Sequence, residues 1–141
     1  MSYCTADDLL DRIDEIALVQ LTDDVGAGVA DQDKVTAAIV DADATIDAYC
    51  QGLYQVPLSP VPAKVRQISA DIAIYNLYSQ NDLSMPETRK DRHREAIRFL
   101  EMVAAGKVIL SEVETASAAG VNEVSLASED RIYSRTKLKG F

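Results

Sequence analysis

The stretch from Leu21 to Val35, LTDDVGAGVADQDKV, crowds carboxylates around two glycines in the manner of a calcium loop. An EF-hand loop needs oxygen ligands at its positions 1, 3, 5, 9 and 12 around a glycine at position 6. With Gly28 as the turn glycine, Asp23 and Asp31 take positions 1 and 9, but Val25 and Ala27 fall at 3 and 5 and Lys34 at 12. With Gly26 in that place, Leu21, Asp23 and Val25 fall at 1, 3 and 5. Neither register holds calcium, so no metal site is expected. The stretch reads instead as a connection between two helices, in which Gly26 and Gly28 supply backbone freedom and Asp31 or Asp33 caps the second helix.

Catalytic chemistry finds little to work with. His93 is the single histidine, and Arg92 and Arg94 flank it, so a nucleophile and an orienting acid would have to come from elsewhere to an exposed basic turn. No GxSxG, Walker loop or GxGxxG occurs. The pairs Asp7/Asp11 and Asp43/Asp47 have the spacing of one helical face, but solvated charged faces have it too. Cys4 and Cys50 show no ligand spacing. No enzyme and no cofactor are expected. Tyr49, Tyr54, Tyr75 and Tyr78 recur at helical intervals and read as packing rather than as platforms for stacked bases.

The chain has 141 residues, 48% of them hydrophobic, enough for one domain with a core that needs no disulfide or metal. With no signal-peptide pattern or membrane-length apolar run, a soluble protein of a reducing, intracellular setting is expected. Charge is unevenly placed. Residues 1–50 hold twelve Asp/Glu against Arg12 and Lys34, whereas residues 51–110 hold six against eight Lys/Arg. The whole carries −9, a poor balance for wrapping DNA phosphates. Opposed patches suit head-to-tail self-association.

Four helices are expected. Thr5 caps the first, ADDLLDRIDEIALVQL, with Asp7 and Asp8 in its first turn and Leu9, Ile13, Ile16 and Leu21 along one face. The second carries Val35, Ile39, Ala42, Ile46, Tyr49 and Leu53 at helical spacing, with Asp41, Asp43 and Asp47 on its wet side. VPLSPVP then forces an extended connection, and Pro62 suits the first turn of a third helix, AKVRQISADIAIYNLYSQ. That helix is apolar around most of its circumference and should be the central one. The fourth is capped by Ser84, with Pro86 and Glu87 in its first turn. It opens on the basic turn TRKDRHR and ends on Ile97, Leu100, Val103 and Ala104 before Gly106. Basic side chains in a first turn oppose the helix dipole, so Arg89, Lys90, Arg92, Arg94 and Arg98 point to a partner. The bundle is expected over 1–106. Residues 107–141 are expected to add a short β-hairpin from KVILSEV and VNEVSLAS and an extended C-terminal arm, within the same single domain.

Several motifs occur in a fixed order. They are Y-x-T-x-x-D-L from Tyr3 to Leu9, L-T-D with the glycine loop to Gly28, A-x-x-x-I-D-x-Y running into Y-x-x-P-L-x-P-V-P up to Pro62, R-x-x-x-x-D-I-A-x-Y-x-L from Arg66 to Leu77, and R-x-x-L-x-G-F ending at Phe141. Together they resemble the small virion proteins of Mu-like phages and prophages that are encoded among the head genes. The resemblance covers almost the whole chain. It implies a structural head–tail adaptor of the neck: a helical protein that forms a homo-oligomeric ring, expected to be dodecameric, on the portal. Such a ring would also meet the next neck or tail-completion protein, pass DNA without reading its sequence, touch no membrane and assemble in the host cytoplasm. Val25 and Ala27 depart from the more acidic loop of that family, so the loop's expected task is to set the angle between helices.

On this reading Arg89, Lys90, Arg92 and Arg94, with Tyr133, Leu138 and Phe141 of the arm, are the expected contacts to another subunit or the portal. Asp41, Asp43 and Asp47 are expected to face the channel, where like charge keeps DNA sliding. The alternative is a DNA-binding module of the packaging machinery, similar to a small terminase protein, using Arg89 to Arg98. A helix-turn-helix would want a shorter turn than the long, proline-laden connections here.

Overall fold

The computed structural model describes residues 2–113. Among them the fold is helical: α1 (Ala6–Leu10), α2 (Glu15–Thr22), α3 (Gln32–Cys50), α4 (Ala63–Ser79) and α5 (Glu87–Ala104). Helices α3, α4 and α5 pack against one another, and α1 and α2 lie against α4.

Helix α4 is the centre, as its composition demands. Every residue from Ile68 to Ile74 is buried, so neighbours cover it all the way round. Seven consecutive buried positions include two polar ones, Ser69 and Asp71, and each must be matched because an unpaired polar group in a core is costly. The Ser69 hydroxyl donates to Asp43 Oδ1 at 3.0 Å and lies 3.2 Å from Cys4 Sγ. Asp71 Oδ1 accepts from Arg12 Nη1 at 3.4 Å.

The first expected helix is two helices. Thr5 caps α1 in a reciprocal box with Asp8, but the helix stops at Leu10 and α2 starts after Asp14. The break lets Ile13 bury and turns Arg12 toward Asp71, while the Arg12 carbonyl accepts from Arg89 Nη2 at 2.6 Å. It also changes the buried face. Leu18 goes inside with Leu21, and Ile16, expected inside, is 67% exposed.

Other boundaries move less. Asp31 caps α3 through the amides of Asp33 and Lys34, and Leu53 falls beyond that helix on the surface. Pro62 and Pro86 occupy the N-cap positions of α4 and α5 rather than their first turns, and neither helix has a side-chain cap from Ser84 or any other residue. The connection from 51 to 62 carries cis peptides at Val56–Pro57 and Ser59–Pro60 and buries Leu58.

A clasp ties this connection to the N-terminus. The Tyr3 hydroxyl donates to Asp47 and accepts from the Leu58 amide at 2.9 Å, while the Tyr3 amide donates to Asp43 at 3.2 Å. Tyr3 therefore joins the N-terminus, α3 and the proline segment in one residue. Burial is the main force raising its phenol pKa, so it is a neutral donor.

The expected hairpin is corrected where it can be compared. Helix α5 ends in a left-handed Gly106 (φ 73°), with the Lys107 amide on the Met102 carbonyl and the Gly106 amide on Val103, the bond pair of a Schellman cap. Residues 107–113 then form turns rather than a strand. The Leu110 amide donates to the Tyr54 hydroxyl at 2.8 Å, and Leu110 and Val113 bury against the helices, so this segment caps the bundle with side chains instead of pairing its backbone. The rest of the hairpin and the arm lie outside the described residues.

This packing can be tested at two positions. Ile72→Ala, at a site 1% exposed in the central helix, should cost about 2–5 kcal/mol in denaturant titration. A loss under about 1 kcal/mol would mean that the cover on α4 is loose. The second position is Asp43, whose carboxyl is raised by burial despite the opposing bonds from Tyr3 and Ser69. A carboxyl that holds its proton more tightly when folded contributes stability at acid pH. That contribution fades as pH rises from the unfolded value, about 3.9, through the raised one. Against Asp43→Asn, the wild type should therefore lose relative stability as pH climbs through that window. A difference independent of pH would contradict the burial of Asp43.

Candidate interaction surfaces

The acidic residues expected on one wet face of α3 have separate fates. Asp41 is exposed. Asp43 and Asp47 are half-buried and bound to Tyr3 and Ser69, so they belong to the clasp and do not stand free on the wet side. The signal was present in Tyr3 and Ser69, but residues 40 and 26 positions away in sequence become partners only in the fold.

The basic residues of α5 divide in the same way. Lys90, Arg92 and Arg94 are exposed, with Lys90 and Arg94 paired to Glu87 and Asp91 one turn away. Such exposed pairs hold little energy and leave the cations available. Arg89 turns inward. Its Nη2 binds the Arg12 carbonyl, its Nη1 is buried with no partner, and desolvation ahead of repulsion from Arg92 lowers its pKa. Its role in the described residues is to hold the α1–α2 break against α5. Tyr133, Leu138 and Phe141 lie outside the described residues.

His93 is not a solvated member of the basic turn. Its ring stacks on Tyr75 at 3.7 Å between centroids and 14° between planes, and burial lowers its pKa. Sequence periodicity put Tyr75 on the inner face of α4 and His93 in solvent; the helix crossing puts both at the same seam. Around that stack lies a groove of about 420 Å³ between α4 and α5, lined by Tyr75, Lys90, His93, Arg94, Ile97, Arg98 and Glu101. It offers an aromatic and aliphatic floor rimmed by three cations and one carboxylate. That lining is complementary in charge and polarity to an acidic group with some apolar character.

The glycine loop is organised by its own side chains. The Asp23 carboxylate accepts from the amides of Ala27 at 3.0 Å and Gly28 at 2.7 Å, and these bonds hold its pKa below the usual carboxylate value. Gly26 and Gly28 take φ of 76° and 77°, a region costly for other residues. Thr22 ties the two ends together, donating to the Leu18 carbonyl and accepting from the Asp31 amide. Asp23, the residue that a calcium loop would use first, is thus spent on backbone amides. Its neighbour Asp24 pairs with Lys34.

Cys4 and Cys50 are free and buried, and burial ahead of the charge of Asp47 pushes the Cys50 thiol up to about 11, so it stays a thiol. Among the described residues no helix is long and apolar enough to cross a membrane.

The family model described as Bacteriophage Mu, Gp36 matches residues 3–127. The Mu-like prophage FluMu protein gp36 of Haemophilus influenzae is 31% identical over 140 residues, covering 99% of this chain and 97% of that protein. Gene product J of Escherichia phage Mu is 31% identical over 144 residues, covering 100% of this chain and 99% of that protein. The chain therefore belongs to the bacteriophage Mu Gp36 family.

Proposed function

We propose that this protein is a structural head–tail adaptor, a non-catalytic neck component that forms a ring on the portal and links head to tail. The observation that carries the reading is where its polar chemistry goes. The buried Tyr3 and the half-buried Asp43, Asp47 and Arg89 bond to other parts of the same chain, while Lys90, Arg92, Arg94 and Arg98 of α5 and the valines of the glycine loop face outward. Groups inside therefore hold the fold, and groups outside are left for partners. Membership in a phage family along the whole chain supports the virion setting, and a surface with separate acidic and basic regions suits a ring built from one repeated contact.

Within this reading Asp41 is, of the three carboxylates assigned to the channel, the exposed one, and Lys90, Arg92 and Arg94 are contacts to a subunit or the portal. Ile132, Tyr133, Leu138 and Phe141 would anchor the C-terminal arm to the next body. A second reading is favoured by one feature. The basic groove beside Tyr75 and His93 would also suit nucleic acid, as in a packaging module.

Mixing the protein with purified portal and weighing the product by light scattering after gel filtration tests the adaptor directly. The expected complex carries one copy per portal subunit, and the protein alone shows no DNA binding. No complex, together with DNA binding that weakens steeply with salt, would replace the adaptor with the packaging module. Removing residues 130–141 should leave the isolated protein's melting transition in place and abolish the portal complex; a complex that persists would remove the arm from the interface.

A further inference from the structure

The glycine loop is built for more than a change of chain direction. Val25 is 89% exposed and Val29 65%, the first of these among the most solvent-facing apolar side chains of the described residues. A Cβ added at Gly26 or Gly28 would meet nothing within 4 Å, so the loop stands clear of the bundle. It nevertheless has a defined shape, because Asp23 holds the amides of Ala27 and Gly28 and Thr22 holds Asp31. A pre-shaped projection with two bare valines has little entropy left to lose on docking. Between Asp23 and Lys34 it carries four carboxylates and one lysine.

The groove between α4 and α5 has the complementary character: Tyr75, His93 and Ile97 as an apolar floor and Lys90, Arg94 and Arg98 at the rim. Both features sit toward the same end of the bundle, since Asn81 at the end of α4 bonds the Leu21 carbonyl and α5 starts six residues later. Two copies side by side can bring the loop of one to the groove of the other at one level.

We infer that the glycine loop of one copy docks in the α4–α5 groove of the next, Val25 and Val29 on the floor and the exposed Asp24 and Asp33 against Lys90, Arg94 and Arg98. The contact is heterologous, loop to groove, so it repeats from copy to copy and closes only as a ring. The inference rests on the ring reading proposed above and names its two surfaces. It also gives a reason for a loop with calcium-like composition and no calcium-binding register: the negative charge is for a basic partner.

Two variants separate the surfaces. Val25→Asp/Val29→Asp damages the loop and leaves the groove; Arg94→Glu/Arg98→Glu damages the groove and leaves the loop. All four positions are on the surface, so both variants should keep the wild-type melting transition. In sedimentation velocity, alone and with portal, the wild type should assemble and each variant should stay monomeric. Mixed together, the two variants should form a heterodimer and nothing larger, because one competent loop and one competent groove remain. Should the valine variant lose its fold, Asp24→Lys/Asp33→Lys damages the loop by charge instead, and combining it with Arg94→Glu/Arg98→Glu exchanges the charges and should restore assembly. Variants that assemble like the wild type would overturn this inference and leave the adaptor reading standing. A wild type that stays monomeric even with portal would overturn both. Loss of DNA binding in the groove variant, with assembly unchanged, would overturn the docking and assign the groove to nucleic acid.

Discussion

The middle of helix α4, from Ile68 to Ile74, has no side left for water, and most of the fold answers that constraint. A helix buried all round must be hydrophobic or must have its polar groups met by other elements. Here Ser69 and Asp71 are met by Asp43 and Arg12, which arrive from α3 and from the break between α1 and α2. The break itself follows from that need. A continuous first helix would keep Arg12 on a solvated face, whereas the interrupted chain brings its guanidinium to Asp71 and its carbonyl to Arg89. The Tyr3 clasp extends the same logic to the proline segment, using the Asp43 that Ser69 already engages.

Local patterns were legible where one stretch decides its own structure. The circumference of α4, the Thr5 and Asp31 caps and the turn at Gly106 all depend on neighbouring residues, and sequence patterns read them. What stayed hidden was set by distant partners. Asp43 and Asp47 repeat at a spacing that any solvated helix face would show, and only Tyr3 and Ser69 make them structural. Arg89 looks like its neighbours in a basic turn, yet a carbonyl 77 positions away draws it inward. KVILSEV has the composition of a strand, but a strand needs a partner, and residues 107–113 find the Tyr54 hydroxyl and an apolar seat on the bundle instead.

Charge placement separates the interior from the surface in a way that suits assembly. Exposed cations on α5 hold only one-turn pairs, and exposed valines in the glycine loop hold nothing, so neither adds much to the stability of a single copy. The groove beside the Tyr75–His93 stack and the projecting loop are the surfaces that the proposed assembly would use. Interfaces built from an apolar centre and a charged rim gain orientation and rate from the charges and hold through the buried apolar area.

The most direct measurement is an averaged electron-microscopy map of the virion neck at a resolution that separates helices. The account predicts a ring between portal and tail in which each subunit is this five-helix bundle, α4 enclosed and α5 facing the next copy. A complete neck map in which no density takes this bundle would contradict it.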